Sequence, residues 1–319
     1  MALSPDIRDW LICTACGTQF PNADRKDRTT CFICDDPRQY TPPSGQSFTT
    51  LGSMINSLAG YKNVFHRYEK DDRLTFIYTT PKFAIGQRCT LIRTPAGNVL
   101  WDCLTLLDEA TIKEIRKLGG IKAIVISHPH YYSTHLLWAR AFDCKVYLSA
   151  EDKQWLAQTD DTRQVFLGEE TREQEVIPDE QGQDVRSGAR ILKLGGHFPG
   201  SLVLLFDGRL LVADTLLTTP AGLGSWETDA LGSKREGHLG RPDGLNSFAF
   251  MWSIPNMIPL SPDEITRMWD ILDKYDFNST HGAFMGQEIE DIQIKSRVLK
   301  SMQIQIARMG WTDHPLLTL

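Results

Sequence analysis

Residues Ile121–Ser127 read Ile-Lys-Ala-Ile-Val-Ile-Ser, a near-continuous apolar run that ends directly on His128-Pro129-His130. Such a run is typical of a strand buried on both faces, and it restricts the chain to folds that cover a sheet on each side. The surrounding sequence supplies the elements. Leu74–Thr79, Cys89–Arg93 and Val99–Leu104 read as strands, the last following an Ala96-Gly97-Asn98 turn. Asp108 can cap a helix over Glu109–Leu118, which Gly119 and Gly120 close. Leu136–Phe142 reads as a helix, and Lys145–Leu148 and Ile191–Leu194 read as strands. Ser201–Phe206 and Arg209–Asp214 flank Asp207-Gly208, a hairpin signal. Ser261 and Glu264 make a capping box for a helix to about Tyr275, and a final helix covers about Gln287–Met309. The polar, acidic stretch Glu169–Gly188 reads as an exposed excursion. Thr218–Leu260 carries Trp226, Phe248, Phe250, Trp252, Ile254 and Met257 with little periodicity, the character of a lid, a binding loop or a packed loop. Together these predict a mixed α/β (α+β) fold.

Residues 1–45 differ in kind from this pattern. They hold four of the seven cysteines and close on a Thr-Pro-Pro-Ser-Gly turn or linker, so the chain divides into an arm (1–45) and a main domain (60–319). Cys13 and Cys16 form one Cys-x-x-Cys pair, Cys31 and Cys34 a second, and 14 residues separate them. Zinc prefers four soft ligands in a tetrahedron, and each such turn presents two thiolates to one ion. A structural zinc-ribbon-like knuckle is therefore expected, since an arm of this size has too little core to fold alone. A closed four-thiolate site has no open position, so its work is to staple the arm or to present a surface for a protein contact or oligomer. Cys89, Cys103 and Cys144 read as small buried hydrophobes.

Five further residues stand at element ends: His128, His130, His197, Asp214 and His281. In extended backbone His128 and His130 would point to the same side and converge on one ion. Gly195-Gly196 before His197 allows an unusual backbone path. His66, His238 and His314 read as solvated or structural. Their company apart, Tyr131 and Tyr132 read as packing residues with a hydroxyl at the rim.

In order and spacing these motifs resemble the metallo-β-lactamase superfamily: His-Pro-His-Tyr-Tyr-Ser at 128–133 for its His-x-His-x-Asp-His motif, Gly-Gly-His ending at His197, Val-Ala-Asp-Thr with Asp214, and Ser-Thr-His-Gly with His281. The resemblance covers roughly residues 60–290 and implies an αββα sandwich with a metal site at one edge of two facing sheets. It also implies metal ligation by His128, His130 and His197, with Asp214 and His281 left from a second site. The family's Asp and following His are replaced by Tyr132 and Ser133, so one ion is the first expectation and two the second. His135 is a candidate replacement ligand. The ion would be zinc or another divalent transition metal, iron and manganese included.

An ion held by three imidazoles with an open position lowers the pKa of its water toward ~7 and supplies hydroxide at neutral pH. The expected function is thus a metal-dependent hydrolase opening a small lactam or lactone. A thioester hydrolase and an inactive zinc-containing binding or scaffold protein are the alternatives. Asp214 would orient the nucleophile or carry its proton, and Tyr132 would donate to the oxyanion or leaving atom. The chain has 34 basic and 40 acidic side chains, a net charge of −6, which argues against nucleic acid and anionic membranes as partners and leaves a small-molecule substrate. The N-terminal sequence lacks the basic start and apolar stretch of a signal peptide and no run reaches ~18–20 apolar residues, so a cytoplasmic location is expected.

Overall fold

The computed structural model describes residues 5–177, 186–236 and 241–319. His238 and residues 178–185 of the acidic stretch therefore lie outside the described residues. The arm contains α1 (Pro5–Arg8) and β1 (Leu11–Cys13), which pairs antiparallel with β2 (Phe48–Thr50) in the register Cys13↔Phe48. That pairing carries the arm's own fold through Thr50, beyond the Pro-Pro turn, and α2 (Leu51–Ile55) follows directly.

The first sheet has the order β3 (Lys62–Arg67), β4 (Leu74–Thr80), β5 (Arg88–Ile92), β6 (Val99–Trp101), β7 (Ala123–Val125), β8 (Lys145–Ser149) and β9 (Gln164–Leu167). It is antiparallel from β3 to β6 and parallel from β6 to β9. The crossovers into β7 and β8 are helical: α3 (Glu109–Lys117), capped by Asp108 accepting from Thr111 N at 2.7 Å, and α4 (His135–Phe142).

The second sheet begins with β10 (Glu173–Glu175), β11 (Ala189–Lys193), β12 (Leu202–Phe206) and β13 (Arg209–Leu211). Asp207 and Gly208 both take positive φ (46° and 73°), as a tight two-residue hairpin requires. The long segment that follows folds into α5 (Pro220–Leu223) and two short strand pairs. These are β14 (Leu217–Thr218) with β15 (Phe248–Ala249), and β16 (Met251–Ser253) with β17 (Ile258–Pro259). After α6 (Pro262–Leu272), which has the capping box of Ser261 and Glu264, β18 (Ser279–His281) joins β13 in parallel and β19 (Glu288–Glu290) closes the sheet. The last helix, α7, is Ile294–Arg308. It starts later than the periodicity predicts because Glu288–Glu290 pairs with β18 instead.

Alternation along the strands builds the layers. Ala123 and Val125 of β7 pack with Phe76, Trp101, Leu204 and Leu211 between the two sheets, while Ile124 and Ile126 pack with Ile112, Ile115 and Leu137 under α3 and α4. On the other side Val203 and Leu210 meet Ile265, Met268, Val298 and Met302 of α6 and α7. The result is an α–β–β–α sandwich, and the run Ile121–Ser127 is apolar throughout because both its faces are covered. Phe248 and Phe250 are fully buried in the α6–α7 layer, so that part of the long segment is core. Among the described residues no helix is long and apolar enough to cross a membrane.

Candidate metal centre

The carboxyl ends of β7, β11 and β13 reach the same edge of the sandwich. There Leu202 N donates to Ser127 O at 2.8 Å, tying the two sheets together. β7 leads into His128, β11 through Gly195-Gly196 into His197, and β13 into Asp214. One ligating atom from each of His128, His130, His197 and Asp214 falls within 4.8 Å of all the others, and all four residues are buried. Asp214 Oδ2 lies 3.4 Å from His128 Nε2, 3.7 Å from His130 Nδ1 and 3.8 Å from His197 Nε2, and the last two nitrogens are 3.4 Å apart. Donors around one ion with bonds of ~2.0–2.1 Å stand roughly 3.3–3.4 Å apart, so the three rings are spaced for a single cation with Asp214 beside it. His128 Nε2 is moreover buried with no hydrogen-bond partner.

The rings are oriented from behind. Ser127 Oγ lies 2.9 Å from His128 Nδ1, and the carbonyl of Met251 in β16 lies 3.1 Å from His197 Nδ1, which leaves Nε2 of each ring for the cluster. Burial pushes His130 and His197 down to about 4 and lowers His128 as well, so the imidazoles are neutral at neutral pH. Burial also penalises the Asp214 carboxylate, but the facing His128 and His130 outweigh it and hold the group well below the usual carboxylate range. Neutral rings around a carboxylate are the form in which these groups bind metal.

Tyr131 is fully buried and its hydroxyl donates to Asp214 Oδ1 at 3.2 Å. The sequence makes Tyr132 the donor to the oxyanion or leaving atom, but in the structure Tyr131 is the tyrosine whose hydroxyl reaches the cluster. Tyr132 donates instead to the carbonyl of Asp152 at 3.3 Å, within the core under the first sheet. The cause is local. His128 is extended, but Pro129–Tyr131 is a 3₁₀ turn, in which residues three apart eclipse, so Tyr131 lies over His128 with ring centroids 4.5 Å apart. The meeting of His128 and His130 likewise comes from this turn and not from an extended stretch.

The other candidates go elsewhere. His281 does not join the cluster: its ring packs edge-on to Tyr68 at 5.3 Å and against Phe76, in the layer between the sheets. It lies inside β18 in register with Leu211, and Asp214 comes beyond the end of β13. Ser133 Oγ meets Thr105 Oγ1 at 3.0 Å and the carbonyl of Gly17 at 3.4 Å, facing the arm. His135 opens α4 with Nδ1 on Tyr132 O and Nε2 on Gln164. Asp102 is a buried partner that carried no sequence signal. It has φ 59°, accepts from Ser127 N at 2.8 Å, and burial raises its carboxyl to about 8.

The four cysteines converge as well, all buried and unbridged, with Sγ–Sγ distances of 3.6 Å for Cys13–Cys34 and 3.7 Å for Cys16–Cys31. Edges of about 3.8 Å are those of a tetrahedron with metal–sulfur bonds of ~2.3 Å. Hydrogen bonds from Cys16, Cys31 and Cys34 favour a thiolate at Cys13, whereas burial raises Cys16. A cation is what lets all four ionise together.

The sequence profile of the metallo-beta-lactamase superfamily matches residues 84–254, more than half of the chain. This chain belongs to that superfamily. The uncharacterized protein YmaE of Bacillus subtilis (strain 168) is 35% identical over 282 residues, which cover 86% of this chain and 88% of YmaE. Solved structures with similarity include a peroxy diiron species of the chemotaxis sensor ODP, 18% identical and covering 78% of this chain and 99% of that one, with a TM-score of 0.47. The DIM-1 metallo-beta-lactamase is 13% identical over 77% of this chain and 98% of its own, also with a TM-score of 0.47. Within the superfamily frame, the histidine–aspartate edge lies in the profile-matched region and the four-cysteine arm lies outside it.

Proposed function

We propose that this superfamily member is a metal-dependent hydrolase of a small carbonyl compound, a lactam or lactone first and a thioester second. His128, His130 and His197 would hold one divalent cation, zinc in the first instance, with Asp214 beside it and a coordination position left for water, and Cys13, Cys16, Cys31 and Cys34 would hold a structural zinc. The convergence of the four donors, with His128 Nε2 left unpartnered, carries the reading.

A divalent cation bound there supplies Lewis acidity toward a carbonyl oxygen and activates water at neutral pH. The protein's own groups do the rest. Tyr131 fixes Asp214 through Oδ1, which leaves Oδ2 turned to the rings, where it can orient water or take up its proton. Burial, and secondarily the charge of Asp214, keep the Tyr131 hydroxyl protonated and therefore donating. Phe198 and Trp155, with ring centroids 4.8 Å apart, shield one side from solvent. A cleft of about 590 Å³ lies beside the His197 turn, bordered by Arg38, Gly195, Gly196, Pro199 and Trp252 and by the charged Arg172, Glu264, Arg267, Asp270 and Lys274, so it is a polar cleft next to the cluster. Tyr132, Ser133, His135 and His281 all face elsewhere, which supports one ion over two and counts against two-metal phosphodiester cleavage.

Elemental analysis of wild type beside a His128→Ala/His130→Ala variant tests the centre, followed by a screen of lactams, lactones and thioesters. Two equivalents falling to one, with turnover lost, is the expected result. One equivalent in both proteins would sink the hydrolase and leave a binding protein.

A further inference from the structure

We infer that the cysteine arm is a working part of the histidine centre, with Arg38 and its counter-ion Asp36 as positioning residues for His197. The inference rests on the reading of His197 as a metal ligand. Arg38 is only 9% exposed. Its Nε and Nη2 fork onto Asp36 at 2.7 and 2.6 Å, and Nη1 donates to the backbone carbonyl of His197 at 3.2 Å. The guanidinium lies 3.8 Å from the centroid of Phe198, whose ring is in turn 4.9 Å from His130 and 5.2 Å from His197. Between Asp36 and Arg38, the carbonyl of Pro37 accepts from Ser253 Oγ at 2.7 Å and Asn256 Nδ2 at 2.8 Å.

These contacts close a ring around one ligand. His197 is held at its carbonyl by Arg38 and at Nδ1 by the carbonyl of Met251, and Met251 and Ser253 are the ends of β16. The preceding Gly195 and Gly196 have φ of 70° and 87°, and Ser201 and Thr215 of the domain tie this turn at Gly195 and at His197 N, so Arg38 adds the tie at the remaining carbonyl. Asp36 sits two residues beyond Cys34, so the thiolate cluster sets the root of the clamp. A buried arginine is costly unless its charge and donors are met, and here Asp36 and His197 O meet them. A plain staple between arm and domain needs no buried cation on the carbonyl of a ligand.

Full-length protein loaded with cobalt tests this, because thiolate charge-transfer bands mark the cysteine site and the d–d bands of the histidine centre are read as the difference from a His128→Ala/His130→Ala reference. Arg38→Met should weaken cobalt at the histidine centre by about 10- to 100-fold and change its d–d bands while the thiolate bands persist, the usual scale for losing a group that orients a ligand. Asp36→Asn should act in the same direction, and Arg38→Lys should recover part of the affinity. Wild-type affinity and spectrum at the histidines in Arg38→Met would overturn the assignment, as would equal weakening of both sites in Arg38→Met and Asp36→Asn. Wild-type protein that takes cobalt only at the thiolates would overturn the metal centre itself, and the positioning with it.

Discussion

Cys13, Cys16, Cys31 and Cys34 come from one short stretch of chain, whereas His128, His130, His197 and Asp214 are gathered from the ends of three strands in two sheets. The cysteine cluster has a small core of its own: Phe20 and Ile33 are its fully buried large apolar side chains, with Phe32 and Phe48 of the arm and Ile85 and Trp155 of the domain packed alongside. The histidine cluster sits on a sandwich that forms its core from both sheets. An ion would thus be a condition of folding for the first and an addition to a prepared site for the second. The difference also predicts which cluster fails first. Losing metal should unfold the arm and leave the sandwich standing.

The largest effect should come from Cys31→Ser/Cys34→Ser. We expect a loss of about 4 kcal/mol or more in stability, read as a lower Tm, together with one metal equivalent. An unchanged Tm would mean that apolar packing alone holds the arm, and the contrast between the clusters would collapse. His128→Ala/His130→Ala should instead keep the native circular dichroism and lose turnover by at least about 10²- to 10³-fold, the scale of removing electrostatic stabilisation from a reacting centre. Unfolding of that variant would show that the sandwich edge also needs its ion.

The two tyrosines sharpen the contrast further. Tyr131→Phe should lower kcat about tenfold with metal content unchanged, while Tyr132→Phe should cost roughly 1 kcal/mol of stability and leave kcat alone. Equal kcat effects would contradict the facing of the 3₁₀ turn. The smallest effect belongs to Asp152, which accepts from Gly200 N beside the His197 turn and whose carboxyl burial raises from 3.8 to about 7. Between those values the unfolded chain gives up a proton that the native protein keeps. Asp152 therefore lowers stability progressively as pH rises from about 4 to 7, and not beyond. Asp152→Asn should flatten that part of a Tm-versus-pH curve, and an unaltered slope would place Asp152 in a wetter setting.

Much of this was legible in the residues. The caps at Asp108 and Ser261, the Asp207-Gly208 hairpin and the buried run into His128 are local signals with local causes, and the elements stand where they point. Glu288–Glu290 misleads because an amphipathic stretch reads as helix until β18 offers it a partner. His281 has the right motif, but strand parity turns its ring into the inter-sheet layer.

By itself the sequence determined the thiolate quartet, because two Cys-x-x-Cys turns specify four ligands within their own backbone. It also determined the set from which the histidine centre is drawn, because chemistry-bearing residues stood at strand ends. Only the tertiary structure decided that Tyr131 and not Tyr132 meets Asp214, that His281 stays out, and that Arg38 of the arm reaches the carbonyl of His197. Those choices depend on the phase of a short 3₁₀ turn and on contacts between distant segments. Neither is fixed until the sheets have packed and the chain has closed on itself.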